Sequence, residues 1–413
     1  MDEAAKALDA ARRRVPAAAD LLNALAQVAA RPVPLAAVRA AAGDAPGDYG
    51  PAVAPGSADR VLSALEEAGV LRRTGGGVQV PEAVAEALRA DLVRPVAASA
   101  AEAACTFLEA WREQLEAGTG DEDEAWEDLA AHALALSARM SEAGRAPDRA
   151  LRLGTRAAGR LQDRARPEEA ERLLARLQEV AGRAARLEEP FLAAALADQR
   201  AGLLAELGRE EEAEVQAHRA VEEAERSCGE EDPRRAVALH NAAGVLKRLG
   251  RLGEATELYD RAYDLLEEHH ESGTPLELQL CLDLSDVLLA RGEPGRAAEV
   301  AGRAVALARE RLGRYHPETA AAVSNLGRAF RAQGRLERAR TSFEQAIEIL
   351  EEVYGPDHPA LGPDLSNLGA TLEDEGRTER ARGLHERALE IFRRSYGEDH
   401  RLTRAARAYL DDL

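Results

Sequence analysis

The segment HPETAAAVSNLGRAFRAQGRLERARTSFEQAIEILEEVYGPDHP, residues 316–359, holds one complete copy of the unit that decides the fold. The glycine at its centre belongs to a set spaced 42 residues apart: Gly208, Gly250, Gly292, Gly334 and Gly376. A fixed period of this length without insertions indicates one helical unit stacked on itself as a solenoid. Each unit is therefore predicted to be a first helix, a tight turn at a left-handed glycine, and a second helix.

Alanine and proline keep the same period as the glycines. The alanines are Ala213, Ala255, Ala297, Ala339 and Ala381, with a second series at Ala220, Ala262, Ala304, Ala346 and Ala388. Small side chains fit where two helices cross closely, and a spacing of seven returns to the same helix face. Prolines at 233, 275, 317 and 359 lie near the predicted starts of the first helices, where a missing N–H costs nothing. The pattern predicts an all-α solenoid.

The composition limits the class of protein. Hydrophobic residues make up 46% of the chain but aromatic residues only 3%, so the core is expected to consist of Ala, Leu and Val. Three cysteines without paired spacing argue against a disulfide framework and favour a reducing compartment. The first residues do not form a signal peptide, and no stretch reaches the ~18 apolar residues of a membrane span. We therefore expect a cytoplasmic protein without a membrane partner.

The charge argues against nucleic acid as a partner. The net charge is −20, and phosphate affinity comes mainly from neutralising cations. Residues 1–95 hold 11 basic and 12 acidic residues, so this region lacks the basic surface typical of a DNA reader.

The sequence predicts three regions. Residues 1–95 combine helical segments with two short β-capable runs around Thr74–Gly77, which predicts a small winged-helix domain. Residues 96–148 are predicted to be a helical connector. Residues 149–413 are predicted to be the solenoid, with a degenerate repeat at 149–189, five regular repeats, and a capping helix at 400–413 that covers the apolar end of the stack.

The segment 316–359 resembles the 42-residue tetratricopeptide repeats of kinesin light chains and many bacterial regulators. This resemblance implies a right-handed superhelical solenoid whose first helices line a concave groove. Residues 126–134, with Trp126, Leu129 and His132, resemble the region after the winged helix in actinobacterial NB-ARC/tetratricopeptide proteins of the signal-transducing ATPase class.

Two departures from that ATPase class bear on function. The chain has no GxxxxGK[ST] phosphate loop, and Val80, Pro81 and Glu82 stand where those relatives carry a histidine near the nucleotide. We therefore expect neither nucleotide binding nor any other cofactor, and the chain resembles the sensor arm of such a protein without its ATPase module.

One polar residue per repeat lies in register on each first helix: Gln199, Asn241, Asp283, Asn325 and Asn367. We call these five positions the polar ladder. Amide side chains can donate and accept at once, which suits them to binding a peptide backbone, and in the kinesin light chain and co-chaperone families asparagines at this position do so. Helical spacing adds His240, Lys247, Arg328 and Arg331 to the same face. The alternative is that the ladder bonds to neighbouring helices and that the cations pair within the chain.

No motif in the sequence points to catalysis. The adjacent His269 and His270 point to different faces of a helix and would not chelate one metal ion, and Cys105 and Cys281 sit in contexts typical of buried, inert thiols. We therefore interpret the chain as a non-enzymatic module that binds a protein or peptide in its groove. The alternatives are a regulator whose winged helix binds DNA in response to a ligand, and a scaffolding subunit for a catalytic partner. The oligomeric state stays open.

Overall fold

The structure is a computed structural model. It describes residues 21, 24–28, 31–34, 58–67, 71–74, 77–82, 84–86, 94–117, 122–230, 232–268 and 274–411. The chain divides into two compact units, Met1–Cys228 and Gly229–Leu413, which are described in turn.

A small antiparallel sheet begins the first unit. Its strands are β1 (Val33–Pro34), β2 (Arg72–Thr74) and β3 (Gly77–Gln79), in the order β1-β3-β2, and helix α1 (Ala58–Glu67) precedes β2. The hairpin of β2 and β3 forms where the sequence predicted β-capable runs, whereas β1 was not predicted. The winged-helix interpretation stays a prediction, because much of the sequence on either side of the hairpin lies outside the described residues.

Six further helices of the first unit lie within the described residues: α2 (Arg94–Glu116), α3 (Glu122–Glu142), α4 (Asp148–Asp163), α5 (Pro167–Arg183), α6 (Phe191–Glu206) and α7 (Glu210–Ser227). The three residues that carry the ATPase-class resemblance lie on α3 and belong to the core, with Trp126 2% exposed and Leu129 and His132 fully buried. Burial lowers the pKa of His132 to about 4, so its ring is neutral at physiological pH. These residues therefore serve packing in this chain.

Helix α3 also contacts the residues just before β1. The Nε2 of His132 lies 3.3 Å from the carbonyl oxygen of Pro32, to which it donates. Arg139 donates to the carbonyl groups of Gln27 and Val28. Because buried backbone carbonyls need a donor, these side chains attach the residues before β1 to α3.

Nine helices of the second unit lie within the described residues: α8 (Pro233–Arg248), α9 (Leu252–Glu268), α10 (Pro275–Ala290), α11 (Pro294–Leu312), α12 (Pro317–Ala332), α13 (Leu336–Tyr354), α14 (Gly362–Asp374), α15 (Thr378–Tyr396) and α16 (Arg401–Asp411). Consecutive helices pair as hairpins. A final helix, α16, forms where the sequence predicted a cap.

The turns confirm the periodic pattern. All five predicted glycines follow the end of a first helix with φ between +72° and +77°, the left-handed region that glycine adopts without strain. Both series of alanines are 0% exposed. A second series was not predicted: Gly313, Gly355 and Gly397 end the second helices α11, α13 and α15 with φ of +86°, +86° and +85°. The chain is thus an all-α repeat solenoid, as predicted.

The last regular repeat departs from the predicted helix start at Pro359. A short 3-10 turn covers Pro359–Leu361, and α14 begins only at Gly362. Pro363 has no N–H to donate to the carbonyl of Pro359, so an α-helix cannot run from one proline through the other. Gly362 is also required by packing, because a Cβ there would stand 2.1 Å from the Phe392 ring.

None of the helices that the structure describes is both long and apolar enough to cross a bilayer.

Candidate binding surface on the first helices

The polar ladder occupies equivalent places on five first helices. Gln199 lies on α6 of the first unit, and the other four lie on α8, α10, α12 and α14 of the second unit. All five side chains are half-buried. They stand on helices whose buried faces consist mainly of alanine and leucine, so the ladder marks the polar edge of each first helix.

Asp283 is the centre of the best-connected cluster on this face. It accepts from His240 Nε2 at 3.1 Å, from Gln279 Nε2 at 3.0 Å and from Lys247 Nζ at 3.1 Å. Burial alone would raise the pKa of Asp283, but the hydrogen bonds from His240 and Gln279, together with Lys247, hold it well below its ordinary value. Asp283 is therefore ionised at all physiological pH values.

The predicted cations all pair with aspartates of a neighbouring hairpin. Lys247 Nζ lies 3.4 Å from Asp286 Oδ2, and Arg328 pairs with Asp286 from the other side. Arg331 Nε lies 2.7 Å from Asp374 Oδ2. Asp286 and Asp374, which were not predicted, therefore join α8, α10, α12 and α14 into one chain of charged contacts.

The asparagines and the glutamine of the ladder do not behave alike. Asn325 Nδ2 donates to the Leu282 carbonyl at 3.2 Å and to Ser285 Oγ at 3.1 Å, so this amide binds the preceding first helix. Asn241 Oδ1 lies 3.3 Å from the imidazole of His240. Gln199 Nε2 donates weakly to the Thr155 carbonyl at 3.4 Å. Within the described part of the chain the Asn367 side chain makes no hydrogen bond.

A buried phenol lies beneath the cluster. The Tyr259 side chain is 0% exposed, its ring centroid is 5.5 Å from that of His240, and its hydroxyl has no hydrogen-bond partner among the described residues. Burial, followed by the charges of Asp283 and Asp286, raises its pKa. Sequence periodicity gave no signal for this residue, since alanine or phenylalanine holds its place in neighbouring repeats.

The cysteine thiols match the interpretation made from sequence. Cys105 and Cys281 are fully buried, and burial raises the pKa of each thiol to about 12, so neither provides a thiolate at neutral pH. His269, His270 and Glu271 lie outside the described residues.

The model of the tetratricopeptide repeat family matches residues 191–268, 278–352, 324–393 and 364–410, which together make up just over half of the chain. The chain belongs to the tetratricopeptide repeat family. A search of curated proteins found no match.

Solved structures with similar folds have low sequence identity to the chain. The nearly identical TPR-like repeats of a kinesin light chain from Podosopora anserina are 23% identical, with 51% of this chain and 99% of that chain covered and a TM-score of 0.46. BtubC (BKLC) from P. vanneervenii is 21% identical, with 60% and 93% covered and a TM-score of 0.46. A signal transduction ATPase with a tetratricopeptide repeat sensor, PH0952 from Pyrococcus horikoshii, is 15% identical, with 96% and 59% covered and a TM-score of 0.46.

Proposed function

We propose that this protein is a non-enzymatic scaffold or sensor that binds a protein or peptide segment across the first-helix face of its repeats. The observation that carries the proposal is the continuous row of half-buried polar side chains on α8, α10, α12 and α14. Tetratricopeptide repeats generally mediate binding of proteins or peptides. The row offers both charges and amides at the period of the repeat, which suits an extended ligand that lies along several units.

The arginines on this face can release their aspartate partners and bind a ligand instead. The side chains of Arg328 and Arg331 are 40% and 36% exposed, and exposed ion pairs contribute only about 0–1 kcal/mol. A ligand carboxylate can therefore replace Asp286 or Asp374 at small cost. The Asp283 cluster is more buried, with His240 at 14% exposure, and we assign it a structural role.

The members of the polar ladder are expected to differ in how much they contribute to ligand binding. Asn325 is engaged with α10, so its loss should affect stability first. The Asn367 side chain makes no hydrogen bond to any residue that the structure describes, so it is the rung best placed to hold a peptide backbone. A net hydrogen bond is worth about 1 kcal/mol and micromolar affinity needs about 8 kcal/mol, so Asn367 must act together with the arginines and with apolar contacts.

Site-specific photo-cross-linking tests the proposal. A photoreactive amino acid replaces Asn367 in one variant and Arg382, an exposed residue of α15, in a matched control. Both variants are irradiated in extract of the native host. A partner that cross-links at position 367 and not at 382, and whose binding the Arg331→Ala variant weakens, supports the groove. Equal cross-linking at both positions, or none at 367, contradicts it.

A further inference from the structure

A cleft in the first unit lies away from the polar ladder and has a different chemistry. It has a volume of about 400 Å³ and lies between the C-terminal ends of α5 and α7, beside the segment that joins α5 to α6. Three arginines line it, Arg186 from the joining segment and Arg219 and Arg226 from α7. We call it the arginine cleft.

The arginine cleft carries a local excess of positive charge. Its only acidic lining residue is Glu223, so the lining has three guanidinium groups and one carboxylate. This balance of +2 stands in a chain whose net charge is −20. The cleft therefore attracts an anion where the protein as a whole repels one.

The guanidinium groups retain most of their hydrogen-bonding capacity. Arg219 Nε is 3.8 Å from Glu223 Oε1, and Arg226 NH1 is 3.3 Å from Glu223 Oε2. Arg226 NH2 is also 3.5 Å from Oε2 of Glu222, which lies outside the cleft. These are loose ion pairs, longer than the roughly 2.7–2.9 Å of a charge-assisted hydrogen bond. Arg186 forms no ion pair with any residue that the structure describes.

Comparison with the other repeats shows that Glu223 is unusual. The residues one to four periods later are Leu265, Leu307, Ile349 and Ile391, and the last three are at most 4% exposed. In α7 an apolar core position is thus replaced by a carboxylate that is 19% exposed and contacts two arginines. Both arginines therefore have a carboxylate to pair with at a position where the later repeats carry an apolar residue.

Apart from Gln178 and Ser227, the rest of the lining is apolar. Ala181, Ala184, Ala185, Leu187, Pro190 and Ala193 surround the charged end. A volume of this size lies within the range of about 300–1,000 Å³ that small-ligand sites occupy. The occupant is therefore an anionic group attached to an apolar body.

We propose that the arginine cleft binds a phosphate monoester. Such a group carries about −1.5 to −2 charge at pH 7 and three acceptor oxygens, which matches the lining charge of +2 and the planar donor groups of three arginines. A carboxylate, with one charge, would leave the site half-neutralised. The phosphate monoester has two possible sources. It is either a small organic phosphate ester in solution or the phosphorylated tyrosine side chain of a protein partner.

Isothermal titration calorimetry with phenyl phosphate tests this site on the full chain. We expect binding that weakens about tenfold or more in Arg186→Gln and again in Arg226→Gln, because each removes charge-assisted hydrogen bonds. The matched control is Arg183→Gln on α5, whose side chain is 79% exposed and outside the cleft, and it should bind like the original protein. Benzoate, a monoanion of similar shape, should bind about tenfold more weakly than phenyl phosphate.

Two outcomes would overturn the assignment. One is no heat of binding with millimolar phenyl phosphate, and the other is equal weakening in Arg183→Gln, which would mean diffuse surface attraction. Circular dichroism shows that each variant is folded. A capped phosphotyrosine peptide distinguishes the two sources. If the peptide binds more tightly than phenyl phosphate, the ligand is a phosphotyrosine side chain of a partner. If phenyl phosphate binds and the peptide does not, the ligand is a small phosphate ester.

Discussion

Ala165 takes the left-handed turn position that glycine holds in the regular repeats. It joins α4 to α5 with φ of +57°, the one non-glycine residue with positive φ among those described. An L-residue in this region costs roughly 1–2 kcal/mol. The degenerate repeat is shifted by one residue relative to the regular period, and the strained alanine lies where that shift occurs.

We expect Ala165→Gly to stabilise the first unit by about 0.5–1 kcal/mol, since relief of strain exceeds the extra entropy that glycine brings to the unfolded chain. Urea unfolding followed by tryptophan fluorescence measures this directly, because both tryptophans, Trp111 and Trp126, belong to this unit. The reciprocal control, Gly250→Ala at φ of +75°, should destabilise the second unit by about 1 kcal/mol. A lower urea midpoint for Ala165→Gly would show that the turn is not strained.

The sequence period predicts where the polar ladder lies but not which hydrogen bonds its side chains make. Periodicity alone identified all five ladder positions, because one residue per repeat recurs on one helix face. It did not predict that Asn325 bonds to α10 while Asn367 has no hydrogen-bond partner among the described residues. This difference depends on whether the preceding first helix offers a serine hydroxyl such as that of Ser285 and an accessible carbonyl. A signal existed for the partners: Asp286 follows Asp283 by three residues and shares its face.

At the scale of the element, small residues on first helices accommodate large residues on second helices. A Cβ on Gly327 would stand 3.0 Å from the Phe343 ring, and one on Gly369 would stand 2.5 Å from His385. In the preceding hairpin the corresponding pair is Ser285 with Ala301, both buried. A large residue on the second helix is thus accommodated by glycine on the first, as close packing requires.

We expect Gly327 and Phe343 to be energetically coupled. Gly327→Ser alone should overpack the hairpin and cost about 1–3 kcal/mol, and Phe343→Ala alone should leave a cavity and cost about 3–5 kcal/mol. The double variant reproduces the Ser285 and Ala301 pair and should be at least about 1 kcal/mol more stable than the sum of the single effects predicts. A thermal double-mutant cycle measures this coupling, and strict additivity would contradict the packing.

Helix boundaries were predictable where a single residue type decides them. Glycine ends each first helix and proline begins most of them, so the regular hairpins follow from local chemistry. The late start of α14 after Pro359 depends on Pro363, four residues later, because its missing N–H removes the hydrogen bond that would continue the helix. The glycines that end α11, α13 and α15 were present in the sequence at the same period but were not used in the prediction.

At the scale of the whole molecule, the repeats were far easier to predict than the N-terminal region. A stacked unit contacts mainly its neighbours, so its fold follows from one repeat. The contacts of Val33 in β1 with Val78 and of the Pro32 carbonyl with His132 have no local signal, because each pairs positions that lie far apart in the sequence. The division into regions at residues 95 and 148 stays a prediction, and the structure instead separates two units at residue 228.

Each unit contains a buried titratable group, and the two groups change the stability of their units in opposite directions as the pH falls. Burial lowers the pKa of His132 to about 4 in the first unit and raises the pKa of Asp364 to about 6 in the second. Between pH 6.5 and 4 the unfolded state binds a proton at His132 and the folded state does not, so acidification destabilises the first unit. Between pH 6 and 3.8 the folded state binds a proton at Asp364 and the unfolded state does not, so acidification stabilises the second.

From pH 7 to pH 5 we therefore expect the first unit to lose about 2 kcal/mol and the second to gain about 1 kcal/mol from these groups. Asp283 does not contribute in this window, because its lowered pKa affects stability only below pH 3.8. Tryptophan fluorescence in urea reports the first unit, and hydrogen exchange of α12 and α14, corrected for intrinsic rates, reports the second. His132→Gln should remove the pH dependence of the first and Asp364→Asn that of the second, each without affecting the other. If both units instead lost stability in parallel and the two substitutions left that loss unchanged, the pH dependence of stability would come from solvent-exposed charges. The opposite pH dependences of the two units are expected only if His132 and Asp364 cause them.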